Sequence, residues 1–384
     1  MTAEGSQGFP RPDPHGGEGR LTASQAAALE YVESIARERA ERAEGRIAET
    51  LEDAALHLPL SRLGQGVRRV GRITLNFHPD RLLASGPTVA EALLEEGTYR
   101  NQFETGISNG GLTAYAGGDR DEWERGMFNG AYHNDGVQDA DRPKYGGLNL
   151  VNHPDGACPR FGSCHLRLRE EALARATYSF GDSVFHPDDV GTIDAFSSVL
   201  AALLESCRRN GRVLGRSMDA ASLVNLLLQG TPDRSGLAAA RANGHALDDY
   251  IEAQIHGPVD LAEDVDLLVA DPSFQDTKIG EDLAGAATRF GFTLDWHRGY
   301  QIGPGDIPPG FRTPHLRRFA GRVADDFSNG GTLNAAVIGR AARSIAVDFT
   351  RWADWETPHA ALQHVKYLWH ALVRFGRAQT GVRI

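Results

Sequence analysis

Sulfur is scarce in this chain, with three cysteines and three methionines among 384 residues. Cys158, Cys164 and Cys207 are too few for a disulfide framework and read as free thiols in a reducing compartment, although the short gap between Cys158 and Cys164 leaves pairing or a metal open. Positive charge is also in deficit. Forty Lys and Arg face fifty-one Asp and Glu, for a formal charge of −11, which excludes generic binding to nucleic acid or to an anionic membrane. No apolar run approaches the length of a membrane span, and no signal-like segment opens the chain. These absences predict a bacterial cytoplasmic protein, or one secreted into a host cell without a cleaved signal peptide. Also missing are GxxxxGK and GxGxxG, which argues against a P-loop and a Rossmann fingerprint.

What is present can build a core. The apolar fraction is 41%, with sixteen Phe, nine Tyr and five Trp, enough for one large domain or two ordinary ones. Many of the 44 glycines fall between residues 105 and 162, which predicts a loop-rich middle. Residues 1–20, rich in Gly, Pro and charge, read as a disordered tail. Residues 21–65 read as a helical N-terminal segment: Thr22 and Gln25 have the form of a capping box, and apolar residues then recur at helical spacing. Residues 66–384 read as an α+β domain with helical insertions and C-terminal helices, because strands and helices mix without regular βαβ alternation. Within it, Ile73, Leu75 and Phe77 alternate with polar residues as in a strand, ended by His78-Pro79. Thr88 caps a short helix that stops at Gly97. Residues 164–168 and 175–180 read as further strands.

Five features carry candidate chemistry. His-Pro-Asp occurs at His78, His153 and His186; it suits metal ligation less well than ordinary turn chemistry. His78 differs in standing at a strand end, where a side chain can enter a cleft. The segment from Tyr99 to Gly111, including Arg100, Asn101, Gln102, Glu104, Ser108 and Asn109, is the densest polar stretch and reads equally as a ligand loop or as a self-bonded Ω-loop. Tyr145 beside Gly146 and Gly147 offers a ring to stack on a flat heteroaromatic, or else packs over a tight turn. Residues 250–257 form a strand pattern with Glu252, Gln254 and His256 on one face, either a buried site or an exposed edge. Arg62, Arg68, Arg69, Arg72 and Arg81 make the approach to the first strand locally basic, as a solvated face or as a phosphate pocket.

Taken in order, these segments resemble the ADP-ribosyltransferase superfamily: a His at the end of a first strand, a short helix ending in Gly, a Tyr-Gly segment and a late strand with a catalytic Glu. The run from Phe77-His78-Pro79-Asp80-Arg81 through Tyr99–Glu104 and Arg142–Gly146 to Tyr178–Ser183 resembles more closely a bacterial domain family of largely uncharacterised members, related to effectors that ADP-ribosylate ubiquitin on threonine. The resemblance implies a split β-sheet core with N-terminal and C-terminal helical segments. It implies NAD as substrate, with nicotinamide stacked on Tyr145 beside Gly146 and with His78 on a ribose hydroxyl or phosphate, helped by Arg81 or Arg100. Asn101, Gln102, Ser108 and Asn109 would add cofactor contacts; Ser108-Asn109 or Ser179 stands in for the superfamily's Ser-Thr-Ser motif. Glu252 would stabilise the oxocarbenium-like transition state, with Glu104 and Asp182 as reserves, and Gln254 would orient a protein acceptor, a threonine of ubiquitin being the one the related effectors use. The competing expectations are an NAD glycohydrolase, a metal-dependent hydrolase at the His-Pro-Asp sites, and a non-enzymatic protein-binding module.

Overall fold

The computed structural model describes residues 21–107, 114–230 and 246–379; the expected tail over 1–20 lies outside the described residues. Three helices lead: α1 (Ala23–Glu38), α2 (Ala40–Asp53) and α3 (Leu60–Val70). The capping box is present, with Thr22 N donating to Gln25 Oε1 at 2.8 Å and Gln25 N donating to Thr22 Oγ1 at 3.4 Å. Ala28 and Val32 of α1 pack with Trp123, Phe128 and Tyr132, while Ile47, Leu51, Leu63 and Val67 join the main core. The boundary expected at residue 65 falls inside α3. These helices are walls of one body, because their apolar stripes have no other place to be buried.

The remaining elements are β1 (Ile73–Phe77), α4 (Val89–Glu96), α5 (Gln102–Thr105), α6 (Asp119–Met127), β2 (Lys144–Leu148), β3 (Cys164–Leu168), β4 (Ala176–Phe180), β5 (Val190–Thr192), α7 (Ser197–Asn210), a ribbon of β6 (Arg212–Val213) and β7 (Arg216–Ser217), α8 (Ala220–Gln229), β8 (Ile251–Ile255), α9 (Leu261–Asp264), β9 (Val265–Ala270), α10 (Lys278–Phe290), β10 (Thr293–Trp296), α11 (Leu316–Phe327), α12 (Ala335–Val347) and α13 (Pro358–Phe375). The fold is α+β. Eight strands make one mixed sheet in the order β10-β9-β3-β1-β2-β8-β4-β5. Only the β9–β10 pair in it is parallel. The ladder runs unbroken from β10 to β5, so any division of the sheet is one of twist rather than of pairing.

Register sorts the two faces. Thr74 opposes Gly147, Gly147 opposes Glu252, and Glu252 opposes Ser179. Directly opposed residues share a face and alternate residues do too. Thr74, Asn76, Tyr145, Glu252, Gln254, Thr177 and Ser179 therefore lie on one side. Ile73, Leu75, Phe77, Ile251, Ala253, Ile255 and Tyr178 lie on the other and belong to the main core. The polar face is covered as well: every residue of β1 and β8 is buried. That overturns the edge-strand alternative for residues 250–257, since β8 sits between β2 and β4.

β2 replaces the tight turn expected around Tyr145. Lys-Tyr-Gly-Gly-Leu has no alternating pattern; it is a strand because β1 and β8 satisfy its backbone from both sides. Both glycines are needed there. A Cβ on Gly146 would stand 2.5 Å from Thr74 O, and one on Gly147 would stand 2.8 Å from the Ala157 Cβ.

Candidate functional site

The three strands that carry His78, Tyr145 and Glu252 are consecutive neighbours, β1-β2-β8. Their residues open on one cavity of about 1160 Å³, partly open to solvent, whose walls include His78, Arg81, Arg100, Gln102, Arg120, Tyr145, Gly146, Asp182 and Glu252. The convergence expected between an early-strand imidazole and a late-strand acid is present.

Each group arrives in a defined state. His78 is buried against Trp369 of α13, ring centroids 4.9 Å apart and nearly perpendicular. Burial, with Arg81 and His370 nearby, pushes its pKa well below the usual histidine range, so it is a neutral imidazole able to donate to or accept from a hydroxyl. The Arg81 side chain makes no hydrogen bond or close ion pair among the described residues; it borders the cavity, with the Asp80 carboxyl as its nearest electrostatic counterpart. Arg100 is paired with Glu96 at 2.5 Å. The other arginines of the basic stretch are engaged away from the cavity: Arg68 pairs with Asp194, Arg69 caps the carbonyls of Leu227 and Leu228, and Arg72 pairs with Glu170. Arg62 is exposed.

Tyr145 donates its hydroxyl to Glu124 Oε1 at 2.6 Å. One face of its ring is covered by the Arg120 guanidinium, 4.3 Å from the centroid. Arg120 is itself buried, with Nε lacking a partner among the described residues. Glu124 has no exposure and is pushed up to about 7 by burial, against the pull of Tyr145 and Arg142. Glu252 accepts from Ser183 Oγ and, at 2.9 Å, from Gln254 Nε2, both at Oε1. Burial raises its pKa and Asp182 adds to that, while Arg120, Ser183 and Gln254 oppose the shift.

Other expected site residues have different duties. Gln254 is fully buried behind Glu252 and does not line the cavity, so it orients the acid rather than an acceptor. Glu104 does not line the cavity either; its Oε2 accepts from Asn101 N at 2.8 Å in the capping box of α5. Asn101 borders the cavity, but its side chain is committed to Phe103 N, Glu104 N, Asp139 O and Arg142 O. Gln102 keeps a buried Oε1 without a partner among the described residues. Ser108 and Asn109 lie outside the described residues. Ser179 donates to Gly181 O at 3.2 Å and does not line this cavity.

The three His-Pro-Asp motifs separate by environment. His153 is buried, with Nε2 2.7 Å from Leu214 O, and Asp155 accepts from Tyr300; this copy is scaffold. His186 is exposed in a left-handed turn, φ 49°, and nearby Asp189 pairs with Arg46 at 2.6 Å. Among the described residues no three His, Cys, Asp or Glu are grouped to hold a metal ion. The three cysteines are free and buried. No helix among the described residues is long and apolar enough to cross a membrane.

Sequence reasoning missed Arg120, Glu124 and Ser183. In sequence residues 119–125 are only a short charged stretch around Trp123; the structure buries Arg120, Trp123 and Glu124.

The fold and the cavity thus define an α+β protein with a built polar cleft on one face of its sheet. Residues 72–375 match the family described as protein of unknown function (DUF3626), and the chain belongs to it. The match starts at the residue before β1, leaving α1–α3 outside it. No curated protein matches the chain.

Proposed function

We propose that this protein is an NAD-dependent ADP-ribosyltransferase that moves ADP-ribose to a protein side chain and releases nicotinamide, on a core of ADP-ribosyltransferase type. The observation that carries this reading is the convergence of His78, Tyr145 and Glu252, from three adjacent strands, on one cavity. Arg81 supports a ligand that brings its own anionic group, such as a pyrophosphate. Neutral His78 suits a ribose hydroxyl. The Glu252 carboxylate, held at Oε1, stands where cleavage of the N-glycosidic bond develops positive charge on the ribose, and a fixed carboxylate gains most at that barrier. The acceptor nucleophile attacks the anomeric carbon, the bond to nicotinamide breaks with its electron pair returning to the ring, and the acceptor's proton is released. A nicotinamide ring stacking on the Tyr145 face now under Arg120 requires that guanidinium to swing away. A threonine of ubiquitin is the acceptor that the resemblance suggests.

Incubation of the pure protein with NAD labelled in the adenylate half tests the reading. Label on a protein supports transfer, free ADP-ribose supports glycohydrolysis, and intact NAD refutes both. Glu252→Gln should lower turnover on the order of 100-fold or more, by loss of transition-state charge stabilisation, with NAD affinity within a few-fold of wild type. Undiminished turnover would remove Glu252 from the role.

A further inference from the structure

Glu252 is the end of a chain of buried hydrogen bonds whose direction can be worked out. Gln254 Nε2 lies 2.9 Å from Glu252 Oε1. A carboxylate only accepts, so the amide nitrogen must face it and the amide oxygen must face Thr177. Thr177 Oγ1 is 2.8 Å from that oxygen, Gln254 Oε1, and therefore donates to it. Its one proton being committed, Thr177 can only accept from its other neighbour, His256 Nε2, at 3.2 Å. His256 thus carries its proton on Nε2. Burial, with Arg175 and Lys144 nearby, drives its pKa down to about 3, so the imidazole is neutral and Nδ1 is a bare lone pair. Tyr132 supplies the hydroxyl bonded to that nitrogen. The steps rest on two premises, an ionised Glu252 and a neutral His256.

We propose that Tyr132, His256 and Thr177 are positioning residues that act through Gln254 on Glu252, forming a one-way chain of donors that ends on Oε1. The role assigned to Glu252 rests on the transferase reading; the direction of the chain does not. Polarisation along such a chain strengthens its last bond. Together with Ser183 it fixes Oε1 and leaves Oε2, which has no partner among the described residues, to face the ligand. Only a proton on Oε1 itself would donate to Gln254 and reverse each bond, moving the His256 proton to Nδ1. The His256 tautomer therefore reports whether Oε1 accepts.

Two measurements test the chain. The first is a side-chain nitrogen–proton correlation spectrum of the histidines, with His256 assigned by the signal lost in His256→Gln. At neutral pH the proton should be on Nε2 with Nδ1 bare; a proton on Nδ1 overturns the proposal. The second compares Thr177→Val, which keeps the shape and loses the hydroxyl, with Thr177→Ser, which keeps the hydroxyl. Thr177→Val should lower kcat about 10- to 100-fold, the range seen when the partner behind a site residue is lost, with KM for NAD within about twofold, and Thr177→Ser should recover most of kcat. A change in KM alone, or no recovery by serine, overturns the positioning role. Should wild type fail to turn over NAD, the transferase reading falls, and the spectrum, which needs no substrate, still decides the chain.

Discussion

Glu124 couples the site to the stability of the whole chain. Its carboxyl is fully buried between Tyr145 and Arg142, and its pKa stands at about 7 against an ordinary 4.5. The folded state therefore holds a proton that the unfolded chain gives up at lower pH. Below about pH 4.5 both states are protonated and Glu124 costs nothing. As pH rises from 4.5 towards 7 the unfolded state ionises first, so stability falls with rising pH across that window and levels off above it. A difference of about 2.5 units corresponds to about 3 kcal/mol. Glu124→Gln keeps the shape and an acceptor for the Tyr145 hydroxyl but cannot ionise. Arg142 retains Asp121 at 2.5 Å. Urea unfolding of both proteins at pH 4.5, 6 and 8 should give similar stability at the acid end and a variant advantage approaching about 3 kcal/mol at the alkaline end. Parallel curves across the three pH values would mean that Glu124 ionises as readily in the fold as outside it, and the burial argument would fail.

Two further substitutions separate binding from scaffold. Arg81→Met removes a guanidinium that makes no side-chain hydrogen bond or close ion pair among the described residues, so NAD affinity measured by calorimetry should fall about 10- to 100-fold, from a lost charge-assisted bond of about 1.5–3 kcal/mol; an unaltered Kd would remove Arg81 from the site. Asn101→Ala should act oppositely, costing about 2–4 kcal/mol of unfolding free energy from a lost cap and stranded carbonyls, and a stable variant with weakened ligand binding would restore the ligand role first expected of it.

Local pattern made much of this legible. The Thr22–Gln25 box, the Thr88–Gly97 helix, the alternation over residues 73–77 and the polar face of 252–256 are all signals within a few residues of chain. β2 was not legible, because a Tyr-Gly-Gly strand is defined by its neighbours and not by its own side chains. Asn101, Glu104 and Gln254 were assigned to ligand because polarity shows in sequence while the partner that satisfies it does not. For the same reason nothing in sequence singled out α6: Arg120 and Glu124 compensate each other and Tyr145 only once β2 and β8 are in place. In the bridge from Tyr132 to Glu252, the period-two face of Glu252, Gln254 and His256 shows in sequence, while Tyr132 and Thr177 reach it from distant segments.

His78, near the start of the sheet, leans on Trp369, whose indole nitrogen donates to Pro159 O at 2.8 Å. Synthesis delivers the chain from its N-terminus, so the imidazole is made long before the helix that seats it. A ribosome-bound intermediate can complete β1, β2 and β8 and still lack the wall behind the imidazole. The cleft acquires its final shape only when α13 docks, which makes folding of the last helix a built-in delay before the cleft can work.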